Sequence, residues 1–123
     1  MKAKKKPKKV KYYREKADKL FQQVGRQENS ECLICGGEYC CLHHFFTKGS
    51  SSSLRYDFDN AIPVCLSCHF KIHKTQDPEM VATILEKKGK GWYKKLNMKR
   101  RELTKSTIGY YKEVIERLEG LKN

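Results

Sequence analysis

The sequence predicts an α+β fold: a small core of two strands and a helix, flanked by an N-terminal helix and a C-terminal helical region. Three observations predict it. Cys32 with Cys35, and Cys65 with Cys68, form two C-x-x-C pairs that bracket the middle of the chain. Between them, residues 39–42 and 54–64 read as strands. Outside them, apolar residues recur at helical spacing. The implied organisation is a basic tail (1–9), a helix and linker (10–30), a cysteine-bounded core (31–76) and a helical region (77–123).

The tail is lysine-rich and broken by Pro7, and disorder is expected there because like charges repel and nothing apolar can be buried. It reads equally as a solubilising tail or as a mobile arm on phosphates. In the first helix, residues 10–24, the stripe is Val10, Tyr13, Ala17, Leu20, Phe21 and Val24, with Gly25 as the expected stop. Its basic face (Lys11, Arg14, Lys16, Lys19) reads as solvated, with DNA contact as the alternative. After the core, Asp77, Pro78 and Glu79 start a helix whose buried face is Met80, Val81, Ile84 and Leu85 and whose stop is Gly89. Trp92, Tyr93 and Leu96 suggest a short further helix. The last helix, residues 106–121, carries Ile108, Tyr111, Ile115 and Leu118, with Lys112 and Glu116 as an i,i+4 pair of opposite sign. Such a stripe packs on its own domain or forms a homodimer through the C-terminal helices.

The bulk numbers bound the rest. With 123 residues, 38% hydrophobic and 33% charged, the chain allows one domain without a large apolar core, which calls for a staple. The lysine run at the N-terminus has no apolar stretch behind it, so no secretory signal is read, and no segment reaches bilayer-spanning length. A cytoplasmic, reducing setting follows as the expectation, with no membrane partner. There, paired cysteines bind metal more often than each other. The net charge of +13 suits a polyanionic partner, nucleic acid ahead of acidic lipid, and a ribosome-associated protein would share that balance.

Two C-x-x-C pairs supply four thiolates to one tetrahedral ion, and such a site leaves no open position, so a zinc here is expected to be structural. Gly36 and Gly37 fit a knuckle after the first pair. Disulfide or redox pairs are the alternative. Cys40 and Cys41 are left over, as buried thiols in a strand or as substitutes in the zinc shell. The gap between the pairs exceeds the roughly 15–20 residues of common zinc-finger patterns, so it holds an insertion. All four histidines lie in or beside this unit: His43 and His44 end the first strand, and His69 and His73 are i,i+4 in a segment read as a helix, one face of which can grip an ion. Asn60 falls near the turn of the second strand, with Pro63 at an edge position. Adjacent strand residues face opposite ways, so His43 and His44 are expected to share a cleft only if the strand breaks, for which the serine-rich loop 47–53 offers a place.

This order, C-x-x-C, His43 and His44, Asn60, C-x-x-C with His69, then His73, resembles the HNH nucleases of ββα-metal, treble-clef-like fold over about residues 31–74. The histidine and asparagine spacing is similar to that of the nuclease colicins, and the cysteines to the zinc-bearing HNH branch. More loosely, His43-His44-Phe-Phe, the run from Leu54 to Asn60 and Trp92 before a basic helix resemble the phage NinG/Rap recombination proteins, which usually carry Asn where this chain has His69. The resemblance implies a DNA endonuclease in a bacterial or phage-infected cell, acting on branched or recombination intermediates. It implies His44 as general base, Asn60 bonding across the hairpin and orienting that base, and His43, His69 and His73 as ligands of a catalytic divalent cation. The imidazole-rich set suits Zn²⁺, Ni²⁺ or Mn²⁺ better than Mg²⁺. Arg55 is read as a phosphate clamp or as the partner of Asp57 or Asp59, and Lys48 and Lys71 as DNA-backbone contacts. The alternatives are a non-catalytic zinc-stabilised nucleic-acid binder and an RNA-binding zinc ribbon.

Overall fold

The structure is a computed structural model that describes residues 7–48 and 52–123. Most of the expected disordered tail, residues 1–6, lies outside the described residues, as do residues 49–51 of the loop expected to break the first strand. Pro7, Lys8 and Lys9 are exposed and carry no regular structure.

The first helix, α1, runs Val10–Glu28 and buries Ala17, Leu20, Phe21, Val24 and Gly25. The expected stop at Gly25 is therefore displaced by a turn. The helix ends at Asn29, whose backbone and side-chain amides both donate to the Gly25 carbonyl, at 3.1 and 2.9 Å. Gly25 serves packing instead: a Cβ there would stand 2.3 Å from Leu42 Cδ1.

Strands β1 (Cys41–His44) and β2 (Ala61–Val64) form a two-stranded antiparallel sheet that pairs Cys41 with Val64, Leu42 with Pro63, His43 with Ile62 and His44 with Ala61. Both strands are edges, where proline is tolerated. The first strand lies two residues later than expected, and only the last four residues of the expected 54–64 strand are extended. Ser52–Leu54 and Phe58–Asn60 are 3-10 turns instead. The reason is local: Asp57 accepts from the Asp59 amide at 2.9 Å, a side-chain bond that competes with a strand ladder.

Helix α2 (Leu66–Phe70) continues into a π-turn, Lys71–Thr75, which Gln76 ends in the left-handed region at φ 48°. Helix α3 (Pro78–Lys88) has the expected start, with Asp77 accepting from the Glu79 amide, and the expected stop at Gly89, φ 91°. Helix α4 is Lys90–Lys99. Helix α5 (Ile108–Leu121) begins after Thr107, whose hydroxyl accepts from the Tyr110 amide.

The alternation of the strands divides the interior in two. Leu42 and Ala61 join Phe21, Leu20 and Val24 of α1 and Tyr111, Val114, Ile115 and Leu118 of α5. Ile62 and Val64 join Cys32, Cys68 and Ile84 on the other side. The α5 stripe that was a candidate dimer face is thus packed on α1 of the same chain, and Lys112 lies over the Tyr13 ring at 5.3 Å. No helix among the described residues is long and apolar enough to cross a membrane.

Candidate metal and catalytic site

Cys32, Cys35, Cys65 and Cys68 come together, their sulfurs all within 4.8 Å of one another, near enough to hold a metal ion. Two tight turns deliver them. In the first, the Gly36 amide donates to the Cys32 carbonyl at 2.9 Å, the Cys32 amide to the Gly37 carbonyl at 2.8 Å, and Gly36 adopts φ 75°. In the second, Cys65 caps α2 and its sulfur accepts from the Cys68 amide at 3.4 Å. Lys87 of α3 ties the first turn down through the Leu33 and Ile34 carbonyls.

The donor chemistry fits a cation. Burial works against ionising Cys32, yet the backbone amides of Cys35, Cys65 and Ile34 outweigh it and bring its thiol down to about 7. Burial and the three neighbouring cysteines push Cys68 the other way. Cys40 and Cys41 stand outside this group; Cys41 is half-buried in β1, and burial with Cys40 beside it raises its thiol to about 11.

A second cluster adjoins the first. One ring nitrogen each from His43, His69 and His73 lie within 4.8 Å of one another. The second thiol turn places His69 directly, since its amide donates to the Cys65 carbonyl at 3.0 Å. His73 follows on the π-turn with its ring centroid 4.4 Å from that of His69. His43 reaches them from β1. Its Nδ1 is buried without a hydrogen-bond partner among the described residues, and burial, then His73 and His69, lower its pKa to about 4. A buried imidazole that stays neutral and keeps an unpaired nitrogen is suited to a cation.

His44 points to the opposite face of β1, stacked on Phe21 with centroids 5.5 Å apart. Its Nε2 lies 2.8 Å from the Arg55 carbonyl. A carbonyl can only accept, so Nε2 carries the proton and donates, which leaves the lone pair on Nδ1. Burial lowers the His44 pKa, with the Arg55 carbonyl acting in the opposite sense. The strand is unbroken through His44, contrary to expectation, yet both imidazoles border one cavity of about 460 Å³ together with Gln22, Thr47, Lys48, His69 and His73. That cavity lies beside the outer edge of β1, where the Gln22 amide bonds to both backbone groups of Leu42, so either face of the strand can reach it.

Asn60 is fully buried and bonds across the hairpin: Oδ1 accepts from the Phe46 amide at 2.8 Å, and Nδ2 donates to the Phe46 and Leu54 carbonyls. Among the described residues it does not bond to His44; the backbone of Arg55 takes that place. The Arg55 guanidinium is engaged with Asp18 through two bonds of 2.9 and 2.6 Å, not with Asp57 or Asp59. Asp57 pairs with Lys99 instead. Lys48 is exposed at the rim of the cavity, and Lys71 is exposed on the π-turn. A larger cavity, about 590 Å³, lies between the 3-10 turns and α5 and borders none of the histidines.

Sequence reasoning missed the contribution of α1: Asp18, Phe21 and Gln22. The available signal was Asp18 itself, an acid beside the apolar stripe of a basic helix. Comparison with known proteins gives no match to a protein-family model, to a curated protein or to a solved structure.

Proposed function

We propose that the chain is a metal-dependent HNH-type endonuclease that hydrolyses DNA phosphodiester bonds, with branched or recombination intermediates of a phage as its substrates. The observation that carries this reading is the adjacency of two imidazole arrangements that meet at β1: the His43, His69 and His73 nitrogens within 4.8 Å of each other, and His44 held as the Nε2–H tautomer. The motif order over residues 31–74 and the net charge of +13 support it.

In this reading His43, His69 and His73 hold the catalytic divalent cation, and the four cysteines hold a structural zinc. The bound cation supplies positive charge to the scissile phosphate and its leaving oxygen. His44 Nδ1 accepts a proton from water as the water oxygen bonds to phosphorus. The bond from phosphorus to O3′ breaks and the departing oxygen takes a proton from solvent water, giving a 5′-phosphate and a 3′-hydroxyl. Asn60 holds the hairpin that carries His44, through Phe46 and Leu54. Lys48 and Lys71 contact the DNA backbone.

The test is cleavage of supercoiled, linear and four-way-junction DNA with Mg²⁺, Mn²⁺ or Ni²⁺, comparing wild type with His44→Ala. A general base contributes roughly 10²- to 10⁴-fold, so the variant should lose that factor while its folding and DNA affinity persist. Binding without cutting in both proteins would favour the non-catalytic alternative, and equal cutting in both would overturn the assignment of His44.

A further inference from the structure

The Arg55 carbonyl that fixes His44 belongs to a turn without sheet support. Its flanking residues form 3-10 turns, and its own amide donates to the Ser52 carbonyl at a long 3.3 Å. What moors it are side chains. Arg55 Nε and Nη2 donate to the two oxygens of Asp18 on α1, at 2.9 and 2.6 Å. The Tyr56 hydroxyl donates to Asp18 Oδ1 at 2.8 Å, and the Tyr56 carbonyl accepts from Arg117 of α5 at 2.8 Å. On its other side His44 lies against Phe21, three residues after Asp18 and on the same helix. One helix therefore supplies both the ring that His44 stacks on and the carboxylate that anchors its backbone partner.

We infer that Asp18 is a positioning residue: through Arg55 and Tyr56 it fixes the Arg55 carbonyl against His44 Nε2, and so keeps Nδ1 free for the attacking water. The catalytic role of Nδ1 rests on the nuclease reading; the tautomer does not. The geometry is stronger than that of an ordinary surface ion pair. The Asp18 and Arg55 side chains are only 25% and 20% exposed, the pairing is two-pronged, and the third bond from Tyr56 fixes the carboxylate plane. The unit that performs the chemistry thus extends beyond the cysteine-bounded core to include α1.

The experiment uses the 123-residue chain loaded with zinc and labelled with ¹⁵N, and reads the His44 tautomer from long-range proton–nitrogen correlations alongside cleavage kinetics. Wild type and a control on the exposed face of α1, Glu15→Ala, should show His44 protonated at Nε2. Asp18→Ala should show both tautomers and lose about ten- to a hundredfold in kcat with KM unchanged. Asp18→Asn, which keeps one acceptor oxygen, should recover part of both. A folded Asp18→Ala protein that retains the Nε2–H tautomer overturns the proposal, whatever its rate. If Asp18→Ala does not fold, Asp18→Asn and Tyr56→Phe decide by the same spectra. If wild type cuts no DNA, the nuclease reading falls while the tautomer still decides the role of Asp18.

Discussion

His43 is buried and held neutral, a combination that acid will expose. The residue is 7% exposed, and burial, with His73, His69 and His44 around it, lowers its pKa from 6.5 to about 4. Between those values the unfolded chain binds a proton that the folded chain does not, so stability rises with pH across the window. It is fully present above pH 6.5 and is lost as the pH falls toward 4, by about 3 kcal/mol from this group. Denaturant unfolding of wild type and His43→Gln from pH 7 to 4, with no divalent cation on the histidines, isolates the effect, because acid loss at the thiolates is common to both. The wild-type curve should fall more steeply, and parallel curves would show that His43 is not shifted by burial. At this scale the cysteine and histidine sets were legible, because C-x-x-C and i,i+4 spacings are local. The partner of Arg55 was not, because Asp18 lies 37 residues away and nearer carboxylates at Asp57 and Asp59 compete on paper.

The docking of α1 on β1 turns on Gly25 and Leu42. In a free helix, alanine would be preferred to glycine by about 1 kcal/mol. Here the added methyl would lie 2.3 Å from Leu42 Cδ1 and 2.6 Å from its Cγ, with Tyr39 Oη at 3.0 Å, and Leu42 is itself buried. Overpacking of this kind costs about 1–3 kcal/mol, so contact should win over propensity. Gly25→Ala is expected to lower the melting temperature; a rise would mean that Leu42 yields freely. The same residue shows why element boundaries were only partly legible. Glycine reads as a stop from sequence because its conformational freedom is visible there, whereas a neighbour arriving from β1 is not. The second strand was overestimated for a related reason: its apolar alternation was real, but Asp57 gives its carboxylate to a local turn and Asn60 its amide to Phe46 across the hairpin. Where caps are encoded by adjacent residues, as at Asp77 with Pro78, the expectation and the structure coincide.

Across the whole molecule the two-stranded sheet separates two interiors of unequal self-sufficiency. The α1 and α5 side is a broad aromatic and aliphatic core, with Phe21, Tyr56, Tyr111 and Leu118. Among the described residues the core on the other side has five buried members, two of which are the cysteines Cys32 and Cys68. Structural zinc contributes roughly 10–16 kcal/mol of apparent binding free energy at neutral pH, as much as the roughly 5–15 kcal/mol that stabilises a whole domain. With a structural zinc on the four cysteines, as proposed, removing the ion should therefore dissolve the second core first. His69, whose amide hangs on the Cys65 carbonyl, would part from His43, and the histidine cluster would be lost with the sulfur cluster. The helices α1 and α5 share no sulfur ligand and should outlast it. Hydrogen exchange on protein treated with a zinc chelator is expected to show protection lost over residues 32–37 and 61–72, retained longer in α1 and α5, and restored by added Zn²⁺. His69→Ala, which removes an imidazole but no thiolate, should leave that pattern as in wild type. Equal protection with and without the chelator would show that the four cysteines brace nothing, and that the second core stands on Ile62, Val64 and Ile84 alone.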